Sequence, residues 1–158
     1  MRFIENSELY NLNRSTYVNL RWIAFIGQIF AIFVVEFILE FKFNYIPCLI
    51  IICLGAITNI FLQFKIKQNQ LNNLLSLIYL MYDILQLGFL FFLTGGVTNP
   101  FIFLLIIPAV FSSQYLSIKS SIILVILTSI ILFFLTFFFF KLPHPSTLHF
   151  HVPDYYLY

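Results

Sequence analysis

Asp83 lies inside the apolar run from Leu74 to Leu93, with Tyr79 four residues before it and Gln86 three after. Residues at i, i+4 and i+7 share a helix face, so Tyr79, Asp83 and Gln86 form one polar stripe on a single helix. An unpaired carboxylate at the bilayer centre costs at least about 2.5–3.5 kcal/mol on insertion scales, so the stripe is expected to face protein or water. The chemistry open to it there is the handling of protons or of a solute.

Directly downstream stands Thr94-Gly95-Gly96-Val97-Thr98-Asn99-Pro100-Phe101. Two readings are open. In the structural one, Gly95 or Gly96 sits just past a helix C-terminus, Asn99 is an N-cap and Pro100 takes the first helical position, so the segment is a tight hairpin between spans. In the chemical one, the turn receives a membrane-soluble quinone, a flat ring with two carbonyl oxygens. Free N–H groups at the start of the next helix, the hydroxyls of Thr94 and Thr98 and the ring of Phe101 would supply donors and a wall, and glycine would admit a close approach.

The elements that must position these residues are membrane spans. Of the 158 residues 61% are hydrophobic and only 9% charged, and mean hydropathy is +0.99. A soluble domain carries about 25% charged residues, so the chain is expected to be an integral membrane protein. Hydropathy predicts an all-α, polytopic transmembrane bundle with spans at about 22–41, 45–64, 74–93, 101–117 and 121–140. Residues 1–21 read as a cytoplasmic lead-in and 141–158 as an outer loop. Trp22 is placed at the interface, Pro108 is expected to kink the fourth span, and Asn59 reads as interhelical glue. Glu36 and Glu40, beside Lys42, read as a charged rim rather than an ion site.

Counting Lys and Arg in the short flanks gives Arg2, Arg14, Arg21, Lys65, Lys67 and Lys119 on one side and Lys42 and Lys141 on the other. The positive-inside rule then puts the N-terminus in the cytoplasm. The 94–101 turn falls on the outer face, and five spans from an inner start call for a sixth beyond Tyr158. A net charge of +2 from scattered residues argues against nucleic acid. His144, His149 and His151 lack the spacing of a zinc motif, so no metal is expected. Cys48 and Cys53, five apart in one apolar helix, cannot form a disulfide and read as buried thiols. No phosphate loop, catalytic triad or zinc-protease motif is present, so no catalytic residue is assigned.

Gly95-Gly96-Val97-Thr98-Asn99-Pro100-Phe101 resembles the heptapeptide of the RegB/PrrB redox-sensing histidine kinases, with Asp83, Gln86 and Leu93-Thr94 in the matching upstream places. Leu20-Arg21-Trp22-Ile23-Ala24-Phe25-Ile26-Gly27-Gln28 is similar to the motif that opens that family's first span. The resemblance covers about residues 14 to 108. It implies the N-terminal transmembrane sensor region, five of six spans, of a two-component redox-responsive kinase in the bacterial inner membrane. By carry-over, Gly95, Gly96, Asn99, Pro100 and Phe101 would form a turn responsive to ubiquinone, with Val97 and Thr98 between them. A homodimer and a cognate response regulator are also implied, while the ATP-binding kinase core, its phosphoacceptor histidine and the family's redox-active cysteine lie outside these 158 residues. Two other classes stay open: a small carrier or membrane-complex subunit using Asp83, and a ligand-free scaffold.

Overall fold

A computed structural model describes residues 12–38 and 43–141 of the chain. Expectations for Arg2, Glu40, Lys42, His144, His149 and His151 lie outside the described residues.

Three of the four long helices start where an N-cap side chain accepts their first free N–H groups, and the fourth has a proline in its first turn. Asn13 accepts from Ser15 and Thr16 at 3.0 and 3.4 Å and opens α1, Arg14–Phe33, which continues as a π-helical turn over Val34–Ile38. The helix therefore begins at Arg14 and not near Trp22, because hydropathy marks where lipid contact starts and the cap marks where helix starts. Pro47 stands in the first turn of α2, Ile46–Lys65, where its missing N–H removes no bond. Asn72 accepts from Leu75 at 2.8 Å and opens α3, Asn73–Leu93. Ser117 caps α5, Ile118–Phe137.

Between α3 and α5 the chain departs from the expected single kinked span. A 3₁₀ turn over Gly96–Thr98 is followed by a 3₁₀ segment, Ile102–Ile106, and then by α4, Ile107–Tyr115. Pro108 does not kink an established α-helix. It stands in the first turn of α4, where the 3₁₀ segment gives way to α-helix and no donor is required of it. Five residues at the 3₁₀ rise and nine at the α rise span roughly 23 Å, short of the ~30 Å hydrocarbon core. Among the described residues four helices are long and apolar enough to cross a membrane, Arg14–Ile38, Ile46–Lys65, Asn73–Leu93 and Ile118–Phe137, and Ile102–Tyr115 is a shorter fifth.

Three contacts gather the inner ends. Leu12–Asn13 (β1) pairs antiparallel with Gln70–Leu71 (β2), and Leu12 and Leu71 are buried. The Arg14 guanidinium donates to the carbonyl oxygens of Gln63, at 2.9 Å, and Ile66, closing the C-terminus of α2. Asn73 accepts from the Ser117 N–H and donates to the Ser120 hydroxyl, at 2.9 and 2.8 Å. Arg14, Lys65, Lys67 and Lys119 thus share one end, which the positive-inside rule makes cytoplasmic.

α3 is the most enclosed span, with 44% of its apolar window buried against 17–28% for the other three. Its Leu80, Ile84 and Phe91 pack with Leu62, Leu105, Leu124 and Leu135. Ile23, Phe30, Ile57 and Phe133 point outward, as lipid-facing positions should. Cys48 is buried, but Cys53 is exposed on that outer surface, which corrects its reading as a buried thiol.

Two glycines separate packing from propensity. Gly96 has φ +57°, and a Cβ there would come within 2.6 Å of the Phe139 side chain; nothing lies within 4 Å of a Cβ at Gly27 in α1. Gly96→Ala is expected to cost at least about 1–2 kcal/mol for the left-handed backbone alone. Gly27→Ala should be neutral or stabilising by up to about 1 kcal/mol. Thermal unfolding in detergent, followed by circular dichroism, checks both; equal midpoints would contradict the turn geometry.

Candidate functional site

α1 presents Tyr17, Val18, Arg21 and Phe25 inward, a run at helical spacing with Tyr17 and Arg21 one turn apart. Opposite them α3 presents Tyr79, Asp83 and Gln86, the stripe expected from the sequence. Arg21 Nε lies 3.0 Å from Asp83 Oδ1, and the Tyr17 hydroxyl donates to Asp83 Oδ2, so both carboxylate oxygens are engaged. Arg21 Nη2 donates to Thr58 Oγ1 of α2 at 2.8 Å, and Thr58 in turn donates to the Gly55 carbonyl at 2.8 Å. The rings of Tyr17, Phe25, Tyr79 and Tyr82 surround the guanidinium, with centroids 5.5–5.8 Å from Cζ. The side chain of Arg21 is 4% exposed and that of Asp83 15%.

This placement corrects one sequence inference: Arg21 is not a flank charge but a residue of the bundle interior. Seven residues past the start of α1, it lies about 10 Å along the helix, and Asp83, ten past the start of α3, about 15 Å. At that depth a lone guanidinium or carboxylate would be desolvated without compensation, whereas together they share a proton donor set and a counter-charge. Higher along the same faces Gln86 Nε2 reaches Gln28 Oε1 at 3.4 Å. Asn59 donates to the Val18 carbonyl at 3.1 Å, tying α2 to α1. Tyr17, Gln28 and Thr58 were missed in the sequence. Tyr17, Arg21 and Gln28 stand at i, i+4 and i+11, so a stripe on α1 facing the one on α3 was available to the same periodicity argument.

The turn is the second candidate, and it is built largely for itself. Gly95 and Gly96 have φ of +103° and +57° and are buried. The Thr94 hydroxyl donates to the Leu90 carbonyl and that of Thr98 to the Gly95 carbonyl, at 2.7 and 2.6 Å. Neither hydroxyl is a free donor, contrary to the expectation. Asn99 Nδ2 donates to the carbonyl and hydroxyl oxygens of Thr94, both at 2.9 Å, while its Oδ1 accepts from the Phe101 N–H at 2.9 Å. Asn99 therefore accepts from the N–H two residues on, as an N-cap ahead of Pro100 does, although the 3₁₀ segment itself begins only at Ile102. Pro100 precedes the 3₁₀ segment instead of beginning it. Val97, Thr98, Pro100 and Phe101 remain exposed at the outer end. From the other side Phe139 packs on Gly96, and the Phe140 N–H donates to the Phe92 carbonyl at 2.8 Å.

The two candidates are separate. From Asp83 to Gly95 is twelve residues, about 18 Å along the axis of α3. Among the described residues no group of three or more His, Cys, Asp or Glu side chains could hold a metal ion.

The sequence profile of the PilS-like transmembrane domain, a six-span domain, matches residues 8–156. Among curated proteins the chain is similar to "Sensor histidine kinase RegB" of Cereibacter sphaeroides, 36% identical over 109 residues, which is 68% of this chain and 24% of that protein. The chain thus spans about a quarter of the length of that relative. No solved structure gives a significant match. The RegB-type resemblance, the polytopic helical bundle and a multi-pass place in the bacterial inner membrane are borne out.

A buried ion pair is exposed by its asymmetry under mutation. Arg21→Met or Asp83→Leu alone strands a buried charge and should cost about 3–5 kcal/mol, whereas the double variant should recover most of that loss. Unfolding midpoints of the four proteins in one detergent check this, and strictly additive losses would refute the pairing.

Proposed function

The chain belongs to the PilS-like transmembrane domain family, and from that membership we infer that it is the membrane sensor region of a histidine kinase that reads the quinone pool at its 95–101 turn. The kinase half of the reading is supported by the relative named as a sensor histidine kinase. The output core, its ATP and its response regulator belong to the rest of such a protein, which acts as a homodimer.

The observation that carries the quinone half is the division of the turn into a fixed side and an open side. Gly95 and Gly96 are buried and held by Asn99 and Phe139, while Val97, Thr98, Pro100 and Phe101 stay exposed. The Val97 N–H makes no hydrogen bond among the described residues, so it is a donor for a quinone carbonyl, and Phe101 offers a flat wall. Thr98 has spent its proton on Gly95 but keeps lone pairs. It can accept from a quinol hydroxyl and cannot donate to a quinone carbonyl. Oxidised and reduced rings therefore meet different partners, and only such a difference in affinity shifts a conformational equilibrium. The turn joins the end of α3 to the 3₁₀ segment, so its occupancy biases how those two pack.

The carrier reading gains nothing from this geometry, since both oxygens of Asp83 are engaged inside the bundle.

The test is autophosphorylation of the full-length kinase in liposomes set to defined ubiquinone-to-ubiquinol ratios. Phe101→Ala should keep basal activity and bring the activities in the two redox states close to each other. Asn99→Ala removes three hydrogen bonds of the turn and should do the same, at about 1–3 kcal/mol of stability. An unchanged redox response in both variants would remove the quinone assignment from the turn.

A further inference from the structure

The face of α1 turned away from Arg21 carries Asn19, Ile23, Ile26 and Phe30, at i, i+4, i+7 and i+11, so the four form one ridge along the helix. All four are exposed, the three apolar side chains by 65–66%. Lipid tails suit Ile and Phe on such a face, but they offer an amide nothing. The depth of Asn19 follows from α2, whose twenty residues, Ile46–Lys65, rise about 30 Å and match the hydrocarbon core. Asn59, six residues short of Lys65, donates to the Val18 carbonyl at 3.1 Å, which levels Val18 and its neighbour Asn19 with a point about 9 Å inside the inner border. From there a Lys or Arg could carry its head to the lipid headgroups on a long stem, whereas an Asn side chain is too short. Polar residues at membrane depth almost always face the interior of a bundle, and Asn19 faces away from the interior of this one.

Two further properties of α1 agree with this. Its apolar window is the least buried of the four long helices, at 17%. Gly27, beside Ile23 and Ile26, is exposed, and nothing lies within 4 Å of a Cβ placed there, so no contact inside the chain requires glycine at a position where it weakens the helix. On an outer face it lets a second helix come close. We propose that this ridge is the seam of a homodimer, in which α1 packs on α1 of a second copy across a two-fold axis close to Asn19. A two-fold contact sets each patch against itself, so its polar groups must be self-complementary. An amide is, with an acceptor oxygen and two donor hydrogens, and two Asn19 side chains satisfy each other without further chemistry. Ile23, Ile26 and Phe30 carry no charge to repel their own copy or to attract a charged partner. The seam lies directly behind the Arg21–Asp83 pair, on the other side of the same helix. It rests neither on quinone binding at the turn nor on a kinase core.

Disulfide trapping of the 158-residue chain in liposomes, with Cys48 and Cys53 replaced by Ser, reads the seam position by position. Ile23→Cys and Ile26→Cys should give linked dimers at least tenfold faster than Ile57→Cys on α2 or Phe133→Cys on α5, positions that are also strongly exposed. The lead should persist as the chains are diluted in lipid, where random collisions fade. Adding Asn19→Leu or Gly27→Leu should slow linkage through Ile26→Cys severalfold, while Asn19→Gln, which keeps an amide, should retain most of it. Both outer-face leucines touch nothing inside the chain, and an unchanged circular dichroism spectrum verifies that the bundle persists. Equal rates at the four positions, a lead held by α2 or α5, or undiminished linkage in the Asn19→Leu protein would overturn the proposal.

Discussion

A guanidinium and a carboxylate brought together in an apolar bundle set the constraint that the rest of this structure meets. Arg21 and Asp83 are each buried between helices, so neither is tolerable there alone. Their pairing fixes which face of α1 turns inward. It also explains the company they keep, since Tyr17 takes the second carboxylate oxygen and Thr58 a second guanidinium nitrogen. Four aromatic rings supply a polarisable surround. α1 has the least buried apolar window of the four long helices, 17%. Tyr17, Val18 and Phe25 give it an apolar inner edge, and the polar contacts of Arg21 and Gln28 reach across to α3.

The two ends of the bundle are closed differently. The inner end is bound by backbone pairing between β1 and β2 and by Arg14 on the last carbonyls of α2, contacts that resist sliding. The outer end is a turn of two left-handed glycines, knitted by Asn99 and backed by Phe139 and Phe140. Its exposed side has nothing against it among the described residues. The turn follows directly on α3, the most enclosed helix, which Asp83 ties to α1.

Much of this was legible in the sequence because membrane burial is harsh. A 3.6-residue period put Tyr79, Asp83 and Gln86 on one face, and the structure does turn that face inward. The end of α3 and a glycine-closed turn followed from residue type. Arg21 was not legible as an interior residue, since it follows Asn19 by two residues and directly precedes Trp22, the usual look of a membrane border. Only its partner reveals where it belongs. Thr94 and Thr98 looked like free donors because sequence cannot show that short hydroxyl side chains bend back to carbonyls in their own turn. Pro108 signalled irregularity correctly, but whether a proline kinks a helix or begins one depends on what precedes it, here a 3₁₀ segment. Cys53 lies on the exposed surface because a thiol in an apolar run can face lipid as readily as core, a choice that residue type does not decide.

The central claim is that Asp83 is an ionised partner of Arg21 within the membrane. Infrared difference spectroscopy of ¹³C-aspartate-labelled protein in lipid, wild type minus Asp83→Asn, observes that carboxyl directly at neutral pH. The account predicts an isotope-shifted carboxylate stretch belonging to Asp83, which moves when Arg21 is replaced by Lys. A protonated C=O stretch in its place, indifferent to Arg21, would contradict the ion pair and the arrangement of helices built on it.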